Sequence, residues 1–357
     1  MKGSIKLFTA FGIEIRIHIT FLLLPLLFGF VYASHGIMTG VRAVVVIFFV
    51  FICVVMHELC HSLVAKKYGI AVKDITLLPI GGIASMQAIP DNPKQEFAIS
   101  IAGPSFNLIF AAIIFFPIYL LVGENIRHPG FGNWQEVLAY MFWINPILAF
   151  FNLLPAFPMD GGRVLRSVLA RKMEYGHATR IAVGLGHTFS LIFGFLGIVS
   201  ANIILILIAI FIYVAASQEG LQVDLRLTLR RFKVKDILPA NFVSVEQETP
   251  FSKILELIFH THQENFPVVE NSKLTGLICR NDILFCMHQG CADKKAKDFM
   301  RADIKAVSPE EPLNKVYLRM QEFQVKALPV VQRGVLKGII TLEDISRVYH
   351  LLSQNKY

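Results

Sequence analysis

The sequence predicts a polytopic α-helical membrane protein of about six transmembrane helices, followed by a soluble α/β module. Three observations carry this. Apolar residues make up 54% of the 357-residue chain and charged residues only 17%, against about 45–50% and about 25% in ordinary soluble proteins. The excess is confined to residues 1–220, and 221–357 has an ordinary soluble composition. The second part also repeats itself at a fixed offset of 62 residues.

A run of about 20 apolar residues crosses a bilayer. Ile17–Ala33, Ala43–Ala65, Phe97–Val122 and Val137–Phe157 are candidate spans. Ile181–Ser217 has no formal charge, His187 being its only ionisable side chain, and is too long for one span. "VSAN", Val199–Asn202, supplies a turn that divides it into helices over about 180–198 and 203–217. Six spans leave both chain ends on one side. Lys2, Lys6, Arg16, Lys66, Lys67, Lys73, Lys94, Arg163, Arg166, Arg171, Lys172 and Arg180 fall on that side, and only Arg42 and Arg127 fall opposite. The positive-inside rule then puts both termini in the cytoplasm, with the chain multi-pass in the cell membrane. The first apolar run is long for a cleaved signal peptide and reads as an anchor.

The formal net charge of +8 is mostly this loop asymmetry. No basic patch is interleaved with aromatics, which argues against a nucleic-acid partner. The five cysteines, Cys53, Cys60, Cys279, Cys286 and Cys291, form no C-x-x-C pair. They read as reduced thiols facing a cytoplasm.

The second span ends in "MHELCH", Met56–His61. Ionisable groups at membrane depth are expensive and mark function. His57 and His61 are four residues apart, so on a helix they share a face. Both can offer a ring nitrogen to one zinc ion, with Glu58 acting on the metal's water. Cys60 points off that face and reads as packing. A catalytic zinc takes three protein ligands and keeps one position open. Asp160 is the one aspartate between Asp91 and Asp224. It falls at the cytoplasmic end of the fourth span, the level at which His57 ends the second. Its competing reading is a helix N-cap before "GGRVLRSVLA". His18, Glu96 and His187 are weaker candidates for the third ligand.

With these residues in place, the chain resembles the site-2 protease family of intramembrane zinc metalloproteases over roughly residues 1–220. The resemblance rests on His57-Glu58-x-x-His61 and, about a hundred residues later, on "NLLPAFPMDGG", Asn152–Gly162. "IAGPSFN", Ile101–Asn107, and "LLPIGGIASM", Leu77–Met86, also fit. The family often writes N-P-D-G where this chain has "FPMDGG". The resemblance implies zinc held by His57, His61 and Asp160, Glu58 as general base, and Asn152 steadying the scissile carbonyl or its oxyanion. The substrate it implies is a membrane protein with a transmembrane segment. That segment must unwind locally, because a helix hides its carbonyls in hydrogen bonds. Pro79, Gly81 and Gly82 argue against a helix in 77–86, and a short strand there could hold an extended substrate by edge pairing. The small residues Ala102, Gly103 and Ser105 read as helix packing.

Residues 221–232, "LQVDLRLTLRRF", read as a charged linker or the frayed end of the last span. Then "VKDIL" (234–238) pairs with "AKDFM" (296–300), and "FPVVENSKLTGLICRNDI" (266–283) with "LPVVQRGVLKGIITLEDI" (328–345). A single copy would leave its apolar face uncovered, so two form one module. This resembles a pair of CBS domains, over 233–290 and 295–352. The resemblance implies a homodimer through the pair and an adenine nucleotide (ATP, ADP or AMP) between the repeats. Thr341 and Asp344 would hold the ribose and phosphates. In the first repeat Asp282 is kept, but Cys279 stands where the hydroxyl would be. A cap at the helix start is the competing reading of Thr341 and Asp344. A transporter carrying such a tail and an inactive binding scaffold are the rival functions, and intact H-E-x-x-H with a later aspartate argues against both.

Overall fold

The structure, a computed structural model, describes residues 3–354 apart from 80, 87–91, 262, 272, 290–292 and 304. It has two compact units, Met1–Leu221 and Gln222–Tyr357.

The first unit opens with β1 (Ser4–Ala10) and β2 (Ile13–His18), and a 3-10 turn, Ile19–Leu22, leads into α1 (Leu23–Ala33). α2 (Ile37–Lys67), β3 (Val72–Leu78) and β4 (Gly81–Met86) follow, then α3 (Pro93–Val122), α4 (Trp134–Leu153), α5 (Asp160–Leu169), α6 (Tyr175–Val199) and α7 (Ile203–Arg230). α2, α3, α4, α6 and α7 are long and apolar enough to cross a membrane, and this makes the chain a membrane protein. The strands form one sheet in the order β1-β2-β3-β4, with β2 and β3 parallel and the outer pairs antiparallel.

This sheet changes the reading of the first span. Ile17 and His18 belong to β2, and the helix proper has 11 residues, about 16 Å long. The pairing still requires a crossing. β3 follows the C-terminal end of α2, and β2 lies beside β3. The chain between β2 and α2 must therefore run back along α2 to its N-terminal end. The 3-10 turn adds about 8 Å to α1, so a short element makes the passage. Glycine permits the close approach: a Cβ on Gly40 would meet the Gly29 carbonyl oxygen and, at 3.1 Å, Ala33 Cβ.

"IEIRIH" alternates with a period of two, as a half-buried strand should. Ile13 and Ile15 are fully buried and pack with Ile75, Val72, Leu59, Ala65 and Ile99. The sheet thus sits on the last turns of α2 and the start of α3. At the same level Arg166 of α5 is fully buried. It donates to Glu96 Oε1 on α3 (2.9 Å from Nε) and to Glu219 Oε1 on α7 (3.0 Å). The rings of Phe157 and Tyr175 each lie 4.8 Å from its guanidinium carbon.

α7 runs to Arg230, so most of the stretch read as a linker is helical. In the second unit its last turns put Leu225 and Leu229 into the core of the second repeat. The first repeat holds β5 (Val245–Glu246), α8 (Phe251–Thr261), β6 (Phe266–Glu270), β7 (Lys273–Ile278) and α9 (Arg280–Gln289). The second holds α10 (Ala296–Phe299), α11 (Leu313–Phe323), β8 (Ala327–Gln332), β9 (Val335–Thr341) and α12 (Leu342–Gln354). Leu277 and Cys279 of one pack with Ala327 and Ile339 of the other.

The repeats exchange their leading segments. Val234, ahead of the first, is buried in the core of the second. Ala296, ahead of the second, is buried in the core of the first. Lysine pairs clasp each exchange. Lys233 and Lys235 bind Glu310 at 2.7 and 2.8 Å, and Lys295 and Lys297 bind Glu248 at 2.5 Å each. Their hydrogen bonds hold both carboxyls down at about 2.

Arg166 supports a prediction. Removing one partner of a buried ion pair strands the other, at about 3–5 kcal/mol. Arg166→Leu is expected to lose that much stability by denaturant unfolding in detergent. Glu219→Gln, which leaves Glu96 paired, should lose much less.

Candidate metal centre

His57 and His61 are buried on one face of α2, and the N-terminal residue of α5, Asp160, reaches them. Asp160 Oδ2 lies 3.1 Å from the Nε2 atom of each histidine, and the two Nε2 atoms are 3.0 Å apart. An ion at the usual zinc distance, about 2.0–2.1 Å from each, fits over such a triangle and keeps one side open. Among the described residues these three make the one group that could hold a metal.

The outer ring nitrogens are also engaged. His61 Nδ1 lies 2.6 Å from the Ile99 carbonyl oxygen and His57 Nδ1 3.4 Å from Asn107 Oδ1. Donation from Nδ1–H leaves each Nε2 lone pair facing the centre, as a ligating imidazole requires. Both partners are on α3, and so is Gly103. A Cβ on Gly103 would strike both Nε2 atoms. Gly103 thus lets α3 lie close against the histidine face of α2, as helix packing requires. Its missing side chain leaves the room in which an ion would sit.

Asp160 is aimed by its own loop. Gly162 N–H donates to the Met159 carbonyl at 3.0 Å, and a Cβ on Gly162 would lie 2.6 Å from the Phe157 nitrogen. A Cβ on Gly161 would strike the carbonyls of Leu153 and Leu154. The two glycines let α5 start tight against the end of α4. Met159 occupies the N-cap position and no side chain caps the helix, so the carboxylate of Asp160 is free for the histidines.

Glu58 is half-buried, under β4. A Cβ on Gly82 would come within 2.7 Å of Glu58 Cγ and 3.3 Å of Val54 Cγ1. The strand anticipated in 77–86 exists, with β4 at the sheet edge. It holds Gly81 and Gly82, and Gly82 touches Glu58. Asn152 is half-buried in the last turn of α4.

The alternative third ligands are elsewhere. His18 caps the 3-10 turn, with Thr20 Oγ1 2.8 Å from its Nδ1. Glu96 is paired with Arg166. His187 meets Ser217 at 2.9 Å and stacks on Tyr213. Asn107 was missed as a contact of the site. Its signal was available: it is the one amide in the apolar run Phe97–Val122.

In the tail, Thr341 and Asp344 form a helix cap. The Thr341 N–H and hydroxyl donate to Asp344 Oδ2 at 3.0 and 2.6 Å, and the Asp344 N–H donates to Thr341 Oγ1 at 3.1 Å. Asp282 accepts from the Cys279 N–H at 3.0 Å and is gripped by Arg301 at 2.7–3.0 Å. Burial pushes the Cys279 thiol up to about 11.

The peptidase family M50 model matches residues 45–132 and 125–193, and the CBS domain model matches 234–289 and 296–351. A zinc metalloprotease of Methanocaldococcus jannaschii is 36% identical over 99% of this chain and 98% of its own length. Stage IV sporulation protein FB of Bacillus subtilis is 28% identical over 47% of this chain and 54% of its own. Among solved structures, a site-2 protease from Methanocaldococcus jannaschii is 40% identical over 61% of this chain and 95% of that one, with a TM-score of 0.46.

Gly103→Ala is expected to keep the fold and lose most of the bound metal, because the new methyl would press on both Nε2 atoms. Metal content of detergent-purified protein, beside its melting curve, checks this. Full occupancy in the alanine variant would show that the centre is looser than the geometry indicates.

Proposed function

This chain belongs to peptidase family M50, as a zinc metalloprotease of the site-2 protease type with two CBS domains, and on that premise we propose an intramembrane endopeptidase. Its substrate is a membrane-anchored protein, cut within or next to its transmembrane segment. The observation that carries the reading is the convergence of His57, His61 and Asp160 at 3.0–3.1 Å between elements a hundred residues apart, beside a glutamate under an edge strand.

In this reading His57, His61 and Asp160 hold one zinc ion. Zinc in such a site polarises a carbonyl and lowers the pKa of water from 15.7 towards about 7. Glu58 is the general base: its carboxylate takes the proton of the attacking water and returns it to the leaving amine. Asn152 donates its amide to the oxygen on which negative charge develops. β4 takes an extended stretch of substrate along its free edge, with Gly81 and Gly82 leaving room for a second backbone near Glu58.

Both termini are assigned to the cytoplasm. The sheet supports this by tying β2 to the C-terminal end of α2, and the twelve-to-two lysine and arginine asymmetry supplies the side. The CBS pair is assigned a regulatory role through adenine nucleotide, held chiefly by Thr341 and Asp344. Asp282 is secondary, since Arg301 already engages it. A homodimer through the pair belongs to the same reading, with Phe259 and Phe285 exposed on α8 and α9. α7 supports the regulation: the helix carrying Glu219, bound to Arg166, also carries Leu229 of the second repeat's core.

Glu58→Gln is expected to keep zinc and lose cleavage of a tagged membrane peptide, since glutamine fills the space but takes no proton. His57→Ala and Asp160→Ala should lose both. Zinc content with a cleavage assay separates the roles, and an active Glu58→Gln protein would refute the base assignment.

Calorimetry of the full-length protein with ATP, ADP and AMP is expected to show binding that weakens in Asp344→Ala, together with a change in cleavage rate. A coupling of about 1–3 kcal/mol corresponds to roughly 5–150-fold. Heat from none of the three refutes the ligand, and binding with an unchanged rate refutes the regulation.

A further inference from the structure

Two imidazoles on one helix can serve a metal only if each turns an unprotonated nitrogen towards it. The two histidines solve this differently. His61 Nδ1 faces a backbone carbonyl, Ile99 O at 2.6 Å, which no substitution removes. His57 Nδ1 faces a side chain, Asn107 Oδ1 at 3.4 Å. Ile99, Gly103 and Asn107 are successive i, i+4 positions of α3 and so lie along one face. That face accepts from His61, clears the centre, and meets His57.

Asn107 is fully buried, and its Nδ2 has no hydrogen-bond partner among the described residues. Buried polar atoms are nearly always paired, and an orphan calls for an explanation. Leucine, branched at the same carbon, would suit this apolar run without leaving an orphan. The opposite amide orientation also fails. With Nδ2 towards His57, Nδ1 would have to accept, and the ring proton would move to Nε2. There it would face His61 Nε2 at 3.0 Å and block a metal.

We propose that Asn107 is a positioning residue whose side-chain oxygen accepts the Nδ1–H of His57 and holds its Nε2 lone pair on the metal. This rests on the zinc reading of the site. Asn107 touches neither metal nor substrate in this role and acts through His57.

The test uses full-length protein in detergent. Zinc affinity is measured by competition with a chelating dye, and the visible spectrum is recorded for the cobalt-loaded protein. Asn107→Leu and Asn107→Ala remove the acceptor; Asn107→Asp keeps an oxygen on the same carbon, and Asn107→Thr keeps one on Cβ, a bond nearer the backbone. The expected result is a loss of about 10–100-fold in zinc affinity for Leu and Ala, with an altered cobalt spectrum. Asp should restore both, and Thr, with its shorter reach, at least a part. Native affinity and spectrum in the Leu or Ala variant overturn the proposal, as does an equal loss in all four. A melting curve for each variant identifies those that fold, and either member of each pair suffices. If the unsubstituted protein takes up no zinc, the metal reading itself has failed, an outcome distinct from these.

Discussion

Everything in the membrane unit answers to one requirement: two histidine nitrogens of α2 and a carboxylate oxygen of α5 must meet at one point among apolar helices. Each of these groups is costly to bury alone and becomes tolerable when paired or ligating. α2 alone places the nitrogens, since four residues bring the rings to one face. Bringing Asp160 to them takes the rest of the fold. Gly161 and Gly162 let α5 begin against the end of α4, and Gly103 lets α3 lie over the histidines. Arg166 then fastens α5 to α3 and α7 from within, two turns beyond Asp160. The second charged centre is thus part of the support of the first.

The local part of this was legible in the sequence. H-E-x-x-H needs only the period of a helix, and Asp160 stood out as the one aspartate in its region. The unread parts all depend on contacts between distant segments. Arg166 reads as one more cytoplasmic charge, because nothing near it in sequence shows that Glu96 and Glu219 enclose it. Glu96 looked like a spare ligand for the same reason. Gly103 reads as helix packing, and the sequence does not show that the packed neighbours are the two histidines. The β1–β2 hairpin was hidden by its apolar end: Ile17 and Ile19 extend the following run as well as they extend a strand.

The tail shows a different limit. The offset of 62 residues disclosed two copies, their strands and the helix starts at Asp282 and Asp344. It could not disclose the exchange of leading segments. "VKDIL" and "AKDFM" fit either repeat equally well, so packing on one's own copy and on the other have the same sequence pattern. The structure resolves this through Val234 and Ala296, each buried in the other repeat's core. The exchange makes the two repeats interdependent, because neither core is complete without a segment that precedes its partner. A ligand that altered one repeat would therefore act on both.

The sheet explains how such a centre could be used. A peptide carbonyl in a transmembrane helix is hydrogen-bonded and screened, and in an apolar medium it can be released only if its backbone finds other partners. An edge strand supplies them, since it presents unpaired N–H and C=O groups along one side. β4 is that edge, and it touches the centre at Gly82 against Glu58. On the proposed reading, unwinding and presentation are one event: the hydrogen bonds lost by the substrate helix are remade with β4 next to the base. This favours substrates whose helix is locally weak, where glycine or β-branched residues lower the cost of leaving the helix, over those with merely apolar sequences. Specificity would then lie in the ease of unwinding near the cut as much as in the side chains beside it.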